Sequence, residues 1–350
     1  MTMIDRQPAS MRRRLALTAL AAAPIGAAIS SSAALARELG AFASDAAGRD
    51  DRRAGSLSVP VALPADARAA DAPKRIVVLN WGLTEMLLSL GVTPVGVPAP
   101  AWYVSGFVEP PLPPSVVDIG LLFQPNYDLL YELKPELILI TPAHASVRAS
   151  FERIAPTMTL GSYAYLPHPY TAMCGEFMTL ARRLGLSTPG QSLLDATNAL
   201  IERTRALLAA SAPAGGYRDV CLAELVDDRH LRVFGSGSQF DDIVRALGLR
   251  NAAAADSTRE GHALITSRAG NSVIELDALA PIAHAKMLWV GTGAHDDIAR
   301  LSRNPVWQRL PMSRPGNATE LPVIASTGAL VSMQRLTLAI AGTMRHDAVV

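Results

Sequence analysis

The chain has 350 residues, 49% hydrophobic and 18% charged, with a formal net charge of +1. That length accommodates two lobes of ordinary domain size, and the composition excludes a disordered chain. The near-zero charge excludes the clustered basic field that nucleic acid requires, so no nucleic-acid partner is expected.

Arg12, Arg13 and Arg14 precede a mainly apolar run from Leu15 to Ile29, and Ala34-Leu35-Ala36 resembles a cleavage site. Charged start, short apolar core and small-residue end make residues 1–36 a signal peptide. The consecutive arginines point to a twin-arginine signal, with an ordinary secretory signal carrying extra charge as the alternative. The apolar run is too short to span a bilayer as a helix. No cysteine stands at the cleavage region to take a lipid, and no later stretch reads as a membrane span. A soluble, exported, periplasmic product is expected. Residues 37–72 are rich in Ala, Asp, Arg and Ser without periodicity and read as a flexible tail or linker.

Arg75–Leu79 reads as a buried strand, Leu83–Leu90 as a helix closed by Gly91, and Thr93–Val97 as the next strand. This tight strand–helix–strand unit predicts parallel pairing. Strands over 116–119, 137–141 and 157–160 alternate with helices over 126–133, capped by Asn126, and 146–154. They complete a first lobe over 73–185. No strand signal occurs from Tyr170 to about Ala210. Thr171–Leu184 and Gln191–Ala209 read as helices, with Thr197 and Thr204 filling gaps in the apolar face of the second. A long connecting helix is assigned to 186–212, and Ser211–Gly216 breaks the chain. The second lobe, 213–350, opens with a hairpin of Asp219–Val226 and Leu231–Phe234. Helices over 239–247, 272–279, 296–301 and 329–343 and strands over 287–291 and 321–325 follow. The fold class is therefore α/β: two lobes with mostly parallel sheets joined by one long helix, and a ligand cleft between them.

Ligands of open α/β sheets bind at the carboxyl ends of the strands. The cleft loops are then Asn80-Trp81, Pro98–Gly106, Gly120–Pro125, Pro142–His144, Gly235–Ser238, Arg268–Asn271 and Ala325–Gly328. Trp81 is either a pocket wall or a cap over the sheet. Trp102 and Tyr103 are pocket walls or loop anchors. His144 can donate to an anionic ligand or reach an incompletely chelated metal, or stand as a solvated loop histidine. The seven histidines show no HxxxH or HExxH spacing. Arg268 offers a planar donor fork in a cleft loop, or is a plain surface arginine. Gly235-Ser236-Gly237-Ser238 resembles an anion nest, but without dinucleotide-site context it reads as a turn facing ligand. Glu85, Glu152 and Glu275 read as acids on solvated helix faces. Cys174 and Cys221 lie in no metal spacing and are either two small buried hydrophobes or a disulfide. No nucleophile elbow, P-loop or carboxylate pair is present, so no enzyme is expected.

Several segments together resemble the periplasmic ferric-hydroxamate siderophore-binding family, the helical-backbone substrate-binding components of ABC importers. They are RIVVLNWGLTEMLLSLG at 75–91, EPPLPPSVVDIG at 109–120, QPNYDLLYELKPELI at 124–138, RIAP at 153–156, RHLRVFG at 229–235 and NPVWQRLP at 304–311. The resemblance implies a monomeric receptor without cofactor or protein-bound metal, whose ligand is an iron(III)–siderophore chelate and whose partner is an inner-membrane ABC permease. It also implies a stiff pair of lobes. The family's pocket arginine falls on Leu122, beside Phe123, and its pocket tyrosine on His144. Further pocket aromatics fall on Gly106, Ala269, Ala325 and Thr327. A tryptophan is kept as Trp81, and a small polar contact is kept in kind as Asn271. Loss of the guanidinium and of stacking area argues for a different siderophore or chelate. The expected ligand contacts are Trp81, Trp102, Tyr103, Leu122, Phe123, His144, Ser236, Arg268, Asn271 and Thr327. The alternatives are a haem, cobalamin or other chelate binder on the same scaffold, and a periplasmic enzyme or sensor subunit.

Overall fold

The computed structural model describes residues 72–211, 219–254, 264, 267–291 and 295–346. The leader, the tail up to residue 71 and the break over 212–216 lie outside these residues. Among the described residues no helix is long and apolar enough to cross a membrane.

In the first lobe, β1 (Ile76–Val78) runs into α1 (Trp81–Ser89). Asn80 has extended backbone and its side chain accepts the Leu83 N–H, satisfying one of the free donors at the helix start. Then come β2 (Gly96–Val97), α2 (Pro100–Gly106), β3 (Val117–Asp118) and a small hairpin of β4 (Gly120–Leu121) and β5 (Gln124–Pro125). Asn126 caps α3 (Tyr127–Leu133) by accepting from Leu129 N–H, as its position predicts. β6 (Leu137–Ile140), α4 (Arg148–Glu152) and β7 (Thr157–Thr159) complete the lobe. The five strands pair in the order β3-β2-β1-β6-β7, all parallel. Two expectations change here. The predicted loop over 98–106 contains α2, because Pro100 at the first helical position presets the backbone. The predicted helix over 146–154 begins as a 3₁₀ turn, Pro142–Val147, and becomes α-helical only at Arg148.

Two helices follow, α5 (Pro169–Arg183) and α6 (Ser187–Ser211). The 25-residue α6 links the lobes, and Thr197 and Thr204 are buried on its inner face. In the second lobe the predicted hairpin forms from β8 (Asp219–Leu225) and β9 (His230–Phe234). Next are α7 (Gln239–Ala246), β10 (Arg250–Asn251), β11 (Asn271–Glu275), β12 (Lys286–Gly291), α8 (His295–Leu301), α9 (Pro305–Arg309), β13 (Ala318–Val323) and α10 (Leu330–His346). The strand order is β11-β9-β8-β12-β13, with β10 beside the start of β8. β8, β12 and β13 are parallel, while β9 runs antiparallel to both its neighbours, β8 and β11, so this sheet is mixed. The predicted helix over 272–279 is in fact strand β11 followed by a 3₁₀ turn, Leu276–Ile282. β-Branched Val273 and Ile274 suit the strand, and the ladder to β9, from Asn271 opposite Phe234 to Glu275 opposite His230, decides it.

The two sheets share one hydrophobic core. Ile76, Val78 and Leu139 of the first sheet and Leu222, Phe234, Leu288 and Val290 of the second belong to a single buried cluster with Leu83, Leu87, Phe177, Ile201, Phe240 and Met333 from the helices between them. Each such aliphatic side chain contributes about 1.5–3 kcal/mol by leaving water. Hydrogen bonds cross the same boundary in both directions. Glu85 of α1 is fully buried and accepts from the Ser332 N–H (2.9 Å) and Ser332 Oγ (2.6 Å), capping the start of α10. Asp242 of α7 accepts from Tyr170 N–H (2.9 Å), capping the start of α5. A carboxylate at a helix N-terminus meets unpaired donors and the positive end of the helix dipole. Gly328 packs against the first of these caps: a Cβ there would lie 2.6 Å from Glu85 Oε2 and collide with Ser332.

Glu85 therefore stands inside the molecule, where the sequence predicts a solvated face. Glu152 is exposed on α4, as expected, while Glu275 ends strand β11 rather than lying on a helix. Cys174 is half-buried and Cys221 buried, both as free thiols. Burial pushes them up to about 11 and about 12.

Burial raises the Glu85 carboxyl above its ordinary value of 4.5, and the Ser332 bonds and nearby Arg335 only partly oppose this. A raised carboxyl favours the fold fully below the ordinary value and loses that contribution as pH rises through the folded value. We predict that Glu85→Gln gains stability relative to wild type as pH rises from 4.5 toward neutrality, measured by urea unfolding of both proteins at each pH. A difference that does not change with pH would contradict the raised value.

Candidate functional site

The side chains expected to meet ligand fall into three groups. The first is built on the ends of β1 and β2. Trp81 opens α1, and its Nε1–H donates to Pro98 O at 2.8 Å. The indole is thereby fixed and presents only its ring faces. Trp102 of α2 stacks on it with ring centroids 5.9 Å apart and planes 13° apart, and is itself 68% exposed. Tyr103 turns the other way. It is 0% exposed, its hydroxyl donates to Pro110 O at 2.9 Å, and its ring stacks on Phe107 at 5.2 Å. Tyr103 is the anchor of α2 rather than a pocket wall, because neighbouring helix positions point to different faces. Trp81 and Ala325 pack against the small core of Leu88, Tyr103 and Phe107, so the loop after β13 adjoins this group.

The second group is the β4–β5 hairpin and its post. His144 is 2% exposed. Its Nδ1 accepts from Thr141 N–H at 3.2 Å and lies 2.9 Å from Thr141 Oγ1, and its Nε2 lies 3.0 Å from Leu122 O. The backbone N–H at Nδ1 fixes the neutral tautomer with the proton on Nε2, which donates to Leu122 O. Both ring nitrogens are therefore occupied. Neither the anion donor nor the solvated loop histidine of the sequence reading describes it. The ring instead supports the hairpin tip. Phe123 lies 5.5 Å from it and is 66% exposed, Leu121 is exposed, and Leu122 is half-buried. This group is tied to the first, since Ala99 N–H, just before α2, donates to Gly120 O (2.9 Å) and Asp118 Oδ1 (3.1 Å).

The third group lies in the second lobe. β9 runs antiparallel to β8, and Phe234 at its end opposes Leu222, so Gly235–Ser238 does not leave from the carboxyl end of a parallel strand as predicted. Ser238 caps α7 by accepting from Asp241 N–H at 3.1 Å, so the Gly-Ser run is a helix entry. Gly237 and Gly270 have left-handed backbone and touch directly: a Cβ on Gly270 would collide with the Gly237 backbone. This close approach brings the Gly235–Ser238 turn against the backbone of the 268–270 loop; Ser236 and Asn271 are half-buried there and Arg268 is exposed. Asn271 Nδ2 donates to Ala269 O at 3.2 Å.

The third group joins the first lobe through the start of α10. Gln239 Nε2 donates to Gly328 O (2.9 Å), and the Tyr163 hydroxyl donates to Thr327 O (3.0 Å). Thr327 is exposed, with its carbonyl engaged by that tyrosine. A Cβ on Gly82 would meet the same Thr327 O at 2.5 Å, so the lobes touch backbone to backbone beside Trp81. Sequence reasoning missed Tyr163, Gln239 and Arg335. Arg335 carried a signal, as the sole charge in the apolar run Leu330–Thr343; Tyr163 and Gln239 carried none. A half-open pocket of about 200 Å³, lined by Trp289, Leu301, Trp307, Arg314 and Glu320 among others, lies on the second lobe and includes none of these groups. Among the described residues no three His, Cys, Asp or Glu side chains converge to hold a metal ion.

Residues 76–323 match the periplasmic binding protein family, and the chain belongs to it. The family consists of binding proteins, not enzymes. The iron(3+)-hydroxamate-binding protein FhuD of Escherichia coli is 30% identical over 264 residues, covering 75% of this chain and 84% of that protein. The Fe(3+)-citrate-binding protein YfmC of Bacillus subtilis is 25% identical over 249 residues, 70% of this chain and 71% of its own length. The crystal structure of Fe3+-Desferal-bound FhuD from Vibrio cholerae superposes with a TM-score of 0.69 at 24% identity, covering 78% of this chain and 98% of that one. It shows the same fold.

His144→Ala should cost about 2 kcal/mol, because it removes the ring's hydrogen bonds to Thr141 and leaves the Leu122 carbonyl without its donor. Urea unfolding measures this. An unchanged midpoint would mean that the hairpin does not depend on His144.

Proposed function

We propose that this member of the periplasmic binding protein family is the exported, monomeric substrate-binding component of an ABC importer. It captures an iron(III)–siderophore chelate of hydroxamate-like type between its lobes and delivers it to an inner-membrane permease. The observation that carries this reading is the 30% identity to the E. coli iron(3+)-hydroxamate-binding protein over 84% of that protein's length. We assign the leader to 1–36, the tail to 37–72, the lobes to 73–185 and 213–350, and the connecting helix to 186–212.

The chelate saturates its own iron, so the protein meets an organic shell. On the first lobe that shell faces the Trp81–Trp102 stack and the Phe123 tip, with Leu122 where the resemblance places a guanidinium. Aromatic faces contribute area and polarisable contact without a fixed hydrogen-bond pattern. The charge-assisted donor comes from the second lobe, where Arg268 is exposed on the paired loops that carry Ser236 and Asn271. Tyr103 and His144 support these walls from behind. The exposed Thr327 lies where the lobes meet.

A second reading keeps the scaffold and changes the cargo. The 13° angle within the Trp81–Trp102 stack leaves a flat aromatic face suited to a planar macrocycle such as haem or the corrin of cobalamin.

Tryptophan-quench titration of the mature protein tests both readings. Of the four tryptophans, Trp289 and Trp307 are buried in the second lobe, so quenching reports chiefly on Trp81 and Trp102. Saturable quenching by a ferric hydroxamate, reduced at least several-fold in affinity by Trp102→Ala, is expected. Binding of haem or cobalamin alone would select the second reading, and no binding to any ferric chelate would remove the first. Arg268→Ala should weaken an anionic ferric chelate more than a neutral one; equal loss would exclude the proposed donor role.

A further inference from the structure

We infer that Arg335 of α10 is a positioning residue for the aromatic wall, holding the helix that carries Trp102 in place across the lobe boundary. The inference rests on the site proposed above and concerns a side chain that contacts no part of the expected ligand surface.

Arg335 is 8% exposed, and its guanidinium NH1 donates to Phe107 O at 2.9 Å. Phe107 is the C-terminal cap of α2, seven residues long, where carbonyls lack helical partners. A cation at a helix C-terminus also meets the negative end of the helix dipole. Phe107 stacks on Tyr103, Tyr103 bonds Pro110 O, and Trp102 is the neighbour of Tyr103 on the same short helix. The chain of contact therefore runs from Arg335 through Phe107 and Tyr103 to Trp102.

α2 needs such a clamp. Seven residues make too short a helix to hold itself. Non-glycine residues in left-handed backbone bracket it, Ala99 at φ 40° and Val108 at φ 67°. Such backbone persists only where the surroundings enforce it, above all for a β-branched residue.

Arg335 is also an expensive way to fill this space. Its Nε finds no partner among the described residues. Glu85 and Glu109 act on it as charges, but no carboxylate is paired directly with it among the described residues. Stability alone is served as well by an apolar side chain of the same length. What the guanidinium supplies and a methionine does not is a directed bond to Phe107 O. The same turn of α10 is fixed by Glu85 at Ser332, so Arg335 projects from an immobile base.

The test compares Arg335→Met with Arg335→Lys, which keeps one donor for Phe107 O. In the protein without ligand, acrylamide quenching should rise for Met as Trp102 swings off Trp81, and stay near wild type for Lys. With the ferric chelate bound by wild type, Met should lose affinity about ten-fold and Lys less than two-fold. In the Trp102→Ala background Met should add less than two-fold, because both changes remove the same wall. Equal loss for Met and Lys, or full additivity with Trp102→Ala, would overturn the inference. If Met fails to unfold cooperatively, Arg335→Gln reads the same cycle. If wild type binds no chelate, the proposed function falls, while acrylamide quenching still decides the role of Arg335.

Discussion

A buried carboxylate sets the relation between the two halves of this molecule. Glu85 leaves the first lobe to cap the first turn of α10 at Ser332. Asp242 returns the contact by capping α5 at Tyr170. Each bond by itself contributes modestly. Together with a core that runs unbroken from Val78 to Val290, they make the lobes one packed body. Because Glu85 has no room to shift, Gly328 has none for a Cβ, and the chain passes Gly82 with backbone against backbone. The cleft walls are fixed relative to one another by these few atoms.

Much of this architecture is legible in the sequence because it is written in local chemistry. Asn126 caps a helix where its position predicts, and the apolar runs at 76–79 and 137–140 are buried strands. The hairpin of β8 and β9 follows from its polar turn. What escapes local reading depends on partners distant in the chain. Residues 272–275 become strand because β9 lies beside them. Glu85 looks like a surface acid until Ser332, far along the sequence, is brought to it.

The site shows the same division. Trp81 and Trp102 are visible in sequence as aromatics at a strand end and in a proline-bounded segment. That Tyr103 faces inward is set by the position of Phe107 and Pro110. His144 invites a role in binding because of its chemistry, yet Thr141 and Leu122 occupy both nitrogens. The composition of the proposed wall follows: flat hydrocarbon and indole on one side, the exposed Arg268 guanidinium on the other. Such a surface distinguishes shape and overall charge more sharply than it distinguishes individual oxygens.

The unbroken core has a kinetic consequence. In the proposed role, lobes that share one core capture with little closure, so association is limited by encounter and orientation, and differences among chelates appear mainly as residence times. Empty and occupied molecules then present nearly the same outline to anything that approaches them. A partner that responds only to the loaded form then has to sense the outer face of the cargo itself, which the proposed site frames with Trp102 and Phe123, rather than a change in the shape of its carrier.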